Sequence, residues 1–279
     1  MPPWKLRLLS CPYPRSLIPG ERMIWFLRGF AFLVLVILQP NWSRAGTPLA
    51  CVMPPGLIVP SAALTNAAAA LTSKGGLNIL AIGSGSTVGD SGGLGGPALA
   101  FHAPEKSYPK RMLEALNTLR PTASFNLTVQ GGRGLTAEEM LPILRRELSA
   151  HHYDLLLWQT GTVEAVHGVR PGALRSVLED GIAAAAKSRT DVVLIDPQFS
   201  RFLRANVDLN PYETVLRQMT GPSGVTLFPR FDLTQEWVNN GEVDLERVGK
   251  DERDETIALL NDCLGHALAR YVLTGAGEH

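Results

Sequence analysis

The stretch from Leu77 to Thr87 reads LNILAIGSGST, and its pattern is typical of a buried strand followed by a tight turn, as in an α/β fold. Its first half, through Ile82, is short and apolar, as in a strand that is buried on both faces. Its second half is a run of glycine, serine and threonine, which favours a tight turn. In open α/β sheets, ligands bind beyond the carboxyl ends of the strands, so this turn is the first place to look for a site.

Similar short apolar runs recur along the chain and alternate with helical patterns. The further predicted strands are residues 125–129, 155–159, 192–196 and 225–228. Helices are predicted over residues 62–73, 109–119, 136–150, 171–188, 211–219 and 253–273. This alternation predicts right-handed crossovers and a three-layer α/β/α fold with a mostly parallel, five-stranded sheet.

The first 45 residues are typical of a signal peptide. Gly29 to Leu38 is an uncharged apolar run that is short for a membrane span, which needs about 20 residues. Small residues at Ser43 and Ala45 predict cleavage after Ala45, and Met23 is an alternative start. We therefore expect a signal peptide over 1–45, an extended lead-in and helix over 46–76, and the main domain over 77–279. The expected location is the periplasm or the exterior. The alternative is anchoring by an uncleaved N-terminal segment.

Charge and motifs exclude several classes of function. Residues 1–45 hold six of the 26 basic residues and one of the 26 acidic ones, so the remainder is mildly acidic and a poor binder of nucleic acid. The turn does not fit a dinucleotide fingerprint, because Val88 stands where G-x-G-x-x-G needs its last glycine. It also lacks the G-K-[ST] of a phosphate loop. We expect no cofactor, no metal and no membrane span after cleavage.

Segments along nearly the whole predicted mature chain resemble the SGNH (GDSL-type) hydrolase superfamily. ILAIGSGSTVG resembles its first block, G-[DS]-S-x-[ST], and VQGGRGLTAEEM resembles its second. LLLWQTGTVEA resembles the third block, which usually reads WQxGTND. DVVLIDPQF and LFPRFDLTQEW are similar to an exported bacterial branch of the superfamily. The resemblance implies the flavodoxin-like SGNH-hydrolase fold and a serine-dependent ester hydrolase site.

The resemblance also implies four catalytic positions, and most of them are degenerate here. The nucleophile's position holds Gly85, and the position of the oxyanion asparagine holds Val163. The D-x-x-H segment corresponds to Asp251 and Asp254, or in a second register to glutamates, and neither register supplies a histidine. Gly134 fits the oxyanion glycine. Without the nucleophile and its base, the usual acyl transfer is not expected.

Neighbouring residues could replace the lost groups. Ser84 and Ser86 flank the vacant position, and either one could act as a displaced nucleophile. The alternative is that both serines bond backbone groups at a helix N-terminus. Glu164 lies beside Val163 near the mouth of the expected cleft. We predict a ligand-binding cleft formed by these residues: Ser84, Gly85, Ser86, Gly134, Val163, Glu164, Asp251 and Asp254.

Two cysteines, Cys51 and Cys263, lie near the two ends of the predicted mature chain. In an oxidising compartment such thiols can pair, and the exported branch carries cysteines at similar positions. The alternative is two unrelated buried thiols.

These expectations lead to one main function and one alternative. The main one is an exported SGNH-hydrolase-like protein that no longer hydrolyses esters. It would bind a glycan, an acylated small molecule or an envelope protein partner, in a setting such as exopolysaccharide production, including that of cellulose. The alternative is an active carbohydrate or lipid O-acyl esterase that uses Ser84 or Ser86.

Overall fold

Residues 51–91, 101–221 and 224–278 are described by a computed structural model of the chain. In these ranges the strands are β1 (Gly76–Gly83), β2 (Asp90–Ser91), β3 (Phe101–His102), β4 (Ser124–Gly131), β5 (Leu155–Gln159), β6 (Asp191–Ile195) and β7 (Val225–Phe228). The helices are α1 (Thr65–Lys74), α2 (Gly85–Val88), α3 (Tyr108–Leu119), α4 (Ala137–Ala150), α5 (Thr162–His167), α6 (Pro171–Lys187), α7 (Arg201–Asn206), α8 (Asn210–Met219), α9 (Arg230–Asn239) and α10 (Arg253–Gly275). A 3₁₀ turn spans Pro104–Lys106.

Five strands form one sheet in the order β4-β1-β5-β6-β7, and every pairing in it is parallel. The sequence predicted all five strands to within two residues at each end, because each is a short apolar run. The short strands β2 and β3 form a separate antiparallel pair, which the sequence did not predict.

Helices cover both faces of the sheet, which confirms the three-layer α/β/α fold. Successive side chains of a strand point to opposite faces. Accordingly Ile79 and Ala81 of β1 belong to one apolar core, with residues of α1, α3, α9 and α10. Leu80 and Ile82 belong to the other core, with residues of α4, α6 and α8. The central strands β1, β5 and β6 are mostly apolar because both of their faces are buried, whereas the edge strand β4 carries polar residues and is only partly buried.

Several short elements were not predicted from the sequence. Helices α2, α5 and α7 have four to six residues, too few to show an amphipathic period. Helix α9 is longer, but its apolar residues, such as Leu233 and Trp237, stand among polar ones in a weak pattern. These elements follow the carboxyl ends of strands, where they shape the edge that carries the candidate site.

The segment that leads into α1 packs on the same body as the sheet. Cys51 and Cys263 form a disulfide with their Cα atoms 5.8 Å apart, as predicted. The backbone N–H of Val52 donates to Glu242, and the indole N–H of Trp237 donates to the carbonyl of Val52 at 2.8 Å. The predicted signal peptide and the alternative start at Met23 lie outside the described residues. No helix in the described ranges is long and apolar enough to cross a membrane.

Candidate functional site

The strand order predicts a crevice at the carboxyl ends of β1 and β5. From β1 the chain moves to one side of the sheet, to β4, and then to the other side, to β5, β6 and β7. Ligands in open α/β sheets bind at such a switch point. The segments that follow these two strands are Gly83–Thr87 and Gln159–Glu164, which contain five of the predicted site residues.

Gln159, at the end of β5, holds the turn that follows β1. Its side-chain oxygen accepts hydrogen bonds from the backbone N–H and the hydroxyl of Ser84, at 3.0 and 3.1 Å. It also accepts one from the hydroxyl of Thr87, at 3.2 Å, and the Thr87 oxygen lies 2.9 Å from the hydroxyl of Tyr108. Ser84 is buried, and its proton is directed to an amide oxygen, which is not a base. The sequence did not identify this role of Gln159.

Gly85 is the first residue of α2, and its surroundings leave no room for a side chain. A Cβ atom built on Gly85 would lie 2.3 Å from the backbone carbonyl oxygen of Asp90. Asp90 belongs to β2, and its position is fixed by the pairing of β2 with β3. The place of the expected nucleophile is therefore filled by main chain.

Ser86 contacts Arg230, a buried residue that no sequence pattern marks as part of the site. Nη1 of Arg230 donates to Oγ of Ser86 at 3.1 Å, and Nε donates to the carbonyl of Asp196 at 3.0 Å. The guanidinium carbon lies 6.0 Å from the ring centroid of Tyr108. Arg230 stands 144 residues after Ser86, so no local pattern could have linked them.

The expected capping role of the two serines is wrong. Ser84 is the N-cap residue of α2, but no side chain caps this helix. The hydroxyl of Ser84 reaches Gln159 instead, and that of Ser86 accepts from Arg230. The two serine hydroxyls therefore bond partners that are distant in sequence, an amide at the end of β5 and a guanidinium at the start of α9.

Burial perturbs the ionisable groups near Arg230. Asp196 follows β6 and is almost fully buried, and its desolvation raises the pKa of the carboxyl group to about 8. Its Oδ1 accepts a hydrogen bond from the backbone N–H of Phe231 at 2.8 Å. Burial also lowers the pKa of Arg230 from its usual value and raises that of the Tyr108 hydroxyl. Burial therefore disfavours the charged form of each of these three groups.

Glu164 has its carboxylate directed into the protein. Oε1 accepts from the backbone N–H of Ala137 and from the hydroxyl of Thr160, and Oε2 accepts from the backbone N–H of Gly161. These bonds join the turn after β5 to the start of α4. Val163 is half-buried beside it and offers no side-chain donor. Contact of either residue with a ligand stays a prediction.

The other predicted site residues lie on the surface. Gly134 is exposed after β4 and has a φ of +78°, which favours glycine. Asp251 and Asp254 are exposed at the start of α10, and no hydrogen bond or ion pair among the described residues joins them to Ser84, Ser86 or Val163. Their convergence with the turn on one cleft stays a prediction.

The loop before α10 holds a further ion pair. Arg201 donates to both carboxylate oxygens of Asp244, at 2.9 and 2.8 Å. Arg247 follows Asp244 by three residues, so this loop also has an acidic residue and a basic one at the spacing of D-x-x-H, with arginine in place of histidine. An arginine cannot act as the general base of a serine hydrolase near neutral pH.

The histidine side chains that the structure describes have other partners or face solvent. His152 pairs with Asp154, and the ring of His266 bonds the carbonyl of Asp262. His167 is exposed at the end of α5. Tyr108 and Trp158 are buried and belong to the core, so neither ring is exposed to a ligand on the surface. Within the described ranges, no group of His, Cys, Asp or Glu side chains is arranged to hold a metal ion.

Comparisons with known proteins identify the family and the fold. A family model with the description "Non-GDSL lipase-like family" matches residues 50–278. No curated protein is similar enough in sequence to count as a relative.

Solved structures of several esterases have a similar fold. LAE5, an alpha/beta hydrolase enzyme from the metagenome of Lake Arreo, is 18% identical, with a TM-score of 0.53 over 72% of this chain and 95% of its own. Axe2, an acetylxylan esterase from Geobacillus stearothermophilus, is 14% identical, with a TM-score of 0.53 over 73% and 95%. CEX, a two-domain esterase active on acetylated mannans, is 14% identical, with a TM-score of 0.53 over 77% of this chain and 56% of its own. At these identities the likeness shows the fold alone.

Proposed function

Because the chain belongs to the non-GDSL lipase-like family, within the SGNH hydrolase superfamily, we propose that it is an exported, non-catalytic member that binds a glycan or an acylated envelope ligand. The fold is retained, and we expect a crevice at the ends of β1 and β5, where ligands bind in such sheets. The residues that would perform acyl transfer in this crevice are replaced.

One observation carries the proposal: the carbonyl oxygen of Asp90 lies where the side chain of the nucleophile would begin. At 2.3 Å from a Cβ on Gly85, it excludes every residue except glycine unless the backbone moves. A site under selection for hydrolysis would keep this space open. Because main chain fills this space, we infer that the reaction was lost, rather than that a different side chain became the nucleophile at this position.

The remaining catalytic positions support the same proposal. Stabilising the oxyanion of a tetrahedral intermediate needs hydrogen-bond donors, and Val163 has none in its side chain. Activation of a serine needs a base within hydrogen-bond reach. Ser84 donates to Gln159 and Ser86 accepts from Arg230, so neither described contact involves a base.

The proposed ligand class comes from the comparisons and the expected compartment. Axe2 and CEX act on acetylated xylan and acetylated mannans. A protein with the fold of these esterases but without ester hydrolysis is suited to bind a glycan, acylated or not. It is equally suited to bind an envelope protein that acts on a glycan. Exopolysaccharide production, including that of cellulose, is the setting we propose. The disulfide and the N-terminal apolar run support export.

A second candidate function is O-acyl ester hydrolysis through Ser86. Ser86 is half-buried, whereas Ser84 is buried, and the guanidinium of Arg230 at 3.1 Å would stabilise a serine alkoxide. This is the observation in its favour. It requires a proton acceptor that the described contacts of Ser86 do not include.

An ester-hydrolysis assay on the purified full-length protein separates the two functions. The substrates are p-nitrophenyl acetate, acetylated xylan and acetylated glucomannan, and a fluorophosphonate probe reports any activated serine. We expect no turnover above background and no labelling. Turnover that is abolished by Ser86→Ala or Ser84→Ala, together with labelling of that serine, would overturn the non-catalytic proposal in favour of the esterase.

A further inference from the structure

A cavity of about 540 Å³ opens beside the connection between α7 and α8 and is closed on the other side by α9. Helix α7 follows β6 and α9 follows β7, so the cavity lies at the carboxyl edge of the sheet, like the turn after β1. Phe231 lines it, and the preceding residue, Arg230, reaches Ser86. The first two residues of α9 therefore contact both the turn after β1 and the cavity.

Polar side chains dominate the lining. Three amides, on Asn206, Asn210 and Gln235, provide both donors and acceptors. The acidic residues of the lining are Asp208 and Glu213. Volumes of roughly 300–1,000 Å³ are usual for small-ligand sites, but those sites are mostly apolar, so this lining points to a ligand that is itself rich in hydrogen-bonding groups.

Hydrogen bonds hold the side chains of Asn206, Asn210 and Glu213 in place. The side-chain amide of Asn210 donates to Asp208 at 2.9 Å, and that of Asn206 donates to the carbonyl of Phe202 at 2.7 Å. Glu213 is buried, and its carboxylate accepts from Arg217 at 3.0 Å. Groups that are fixed before binding lose little conformational entropy when a ligand arrives.

The lining carries charges of both signs, which favours a ligand without a strong net charge. Arg204 is the cationic member of the lining, the charge of Glu213 is offset by Arg217, and Asp208 remains as the second carboxylate. A phosphate or a polyanion would meet these carboxylates, and a polycation would meet Arg204. Phe231 adds one apolar surface, and its ring is fixed by an edge-to-face contact with Phe199, with ring centroids 5.5 Å apart.

We propose that this cavity binds a neutral sugar unit of a glycan, with Asn210 and Gln235 bonding ring hydroxyls and Phe231 packing on the apolar face of the ring. Sugar hydroxyls donate and accept at once, which matches amide and carboxylate groups side by side. This inference rests on the proposed function. The start of α9 separates the cavity from the turn after β1, because Arg230 contacts Ser86 and Phe231 lines the cavity. Binding there needs neither the nucleophile nor the oxyanion donors.

The test is affinity electrophoresis of the full-length protein in native gels that contain one polysaccharide each: acetylated glucomannan, deacetylated glucomannan, acetylated xylan or hydroxyethyl cellulose. The test variant is Asn210→Ala with Gln235→Ala. Its matched control is Asn240→Ala with Gln218→Ala, two exposed residues outside the cavity. Gln235→Glu is a second variant that keeps the size of the side chain and places a charge in the cavity.

We expect wild type and the control to be retarded by at least one polysaccharide, with dissociation constants within about twofold of each other. The loss of two hydrogen bonds should weaken binding by the test variant about tenfold or more. Unchanged binding by both the test variant and Gln235→Glu would overturn the cavity assignment and leave the proposed function standing. If wild type binds none of the four polysaccharides, the proposed glycan function fails, and the cavity assignment fails with it.

Discussion

A single backbone oxygen, the carbonyl of Asp90, lies 2.3 Å from where the Cβ atom of a side chain at position 85 would be. The sequence shows that position 85 has no hydroxyl, but it cannot show that the carbonyl of Asp90 leaves no room for a Cβ atom there. That oxygen is placed by the pairing of β2 with β3, a tertiary contact with no local signal. At the scale of one residue, the proposed change from a hydrolase to a binding protein is therefore steric as well as chemical.

Restoring a serine at the nucleophile's position should harm the protein without restoring the reaction. We expect Gly85→Ser to show no ester hydrolysis above wild type and to lower the free energy of unfolding by roughly 1–3 kcal/mol, the usual cost of overpacking. Gly172→Ser is the matched control, since a Cβ at Gly172 meets nothing within 4 Å. Thermal melts and fluorophosphonate labelling measure the two effects. A stable Gly85→Ser protein that is labelled at the introduced hydroxyl would show that the space is available.

The raised pKa of Asp196 makes a prediction about stability and pH. Its pKa is about 8 in the folded protein, because of burial, against about 3.9 in an unfolded chain. Between these values only the folded state keeps the proton. The free energy of unfolding should therefore fall as the pH rises from about 4 to 8, by up to about 1.4 kcal/mol for each unit of pKa difference.

Asp196→Asn removes this titration and keeps an oxygen for the N–H of Phe231. We expect the variant to lose less stability than wild type between pH 5 and 8, measured by urea unfolding at several pH values. The exposed Asp180→Asn serves as control and should follow wild type. Parallel curves for Asp196→Asn and wild type would show that Asp196 is already ionised in the folded protein.

At the scale of elements, the sequence predicted those whose pattern is local and missed those whose cause is distant. Strand β5, LLLWQ, was predicted with the ends that the structure shows, because five apolar or amide residues lie between polar turns. Helix α4 was predicted to within one residue through the capping box of Thr136 and Glu139. Helix α9 was missed, because Arg230 and Thr234 are polar residues that its tertiary position buries.

The packing of α6 on the sheet depends on one glycine. A Cβ on Gly181 would lie 2.3 Å from the ring of Trp158, which is fully buried on β5. Alanine is normally the better helix former by about 1 kcal/mol. At Gly181 this gain is outweighed, because the helix or the indole would have to move.

We therefore expect opposite effects from the same substitution at two positions of α6. Gly181→Ala should lower the free energy of unfolding by roughly 1–3 kcal/mol. Gly172→Ala, in open space near the start of the helix, should be neutral or raise it by up to about 1 kcal/mol. Chemical denaturation of both variants measures the difference. Equal stabilities would mean that Trp158 can move aside without cost.

At the scale of the whole molecule, the candidate site is spread along one edge of the sheet. The turn after β1, the capped turn after β5, and the start of α9 after β7 are joined by Gln159, Asp196 and Arg230. The sequence predicted the edge, because parallel strands end there, and named residues on it. It could not pair Ser86 with Arg230 or find the cavity beyond Phe231, since both depend on how separate loops meet.

The disulfide joins the two ends of this body, and its removal tests how much the closure stabilises it. Cys51 and Cys263 are 212 residues apart in sequence. A cross-link over a loop of that length is worth on the order of 5 kcal/mol by chain entropy. Cys263 lies in α10 and Cys51 in the segment that bonds Trp237, so opening the bridge also loosens the contact of that segment with α9.

We expect reduction by dithiothreitol to lower the melting temperature of the full-length protein, with a loss of stability on the order of 5 kcal/mol. The variant Cys51→Ser with Cys263→Ser should melt like the reduced protein, and dithiothreitol should not change its melting temperature further. Mass analysis before each melt confirms the state of the thiols. A fully reduced protein that melts at the same temperature as the oxidised one would contradict this expectation. It would show that the loss of entropy in the cross-linked unfolded chain gives the folded protein no net stability.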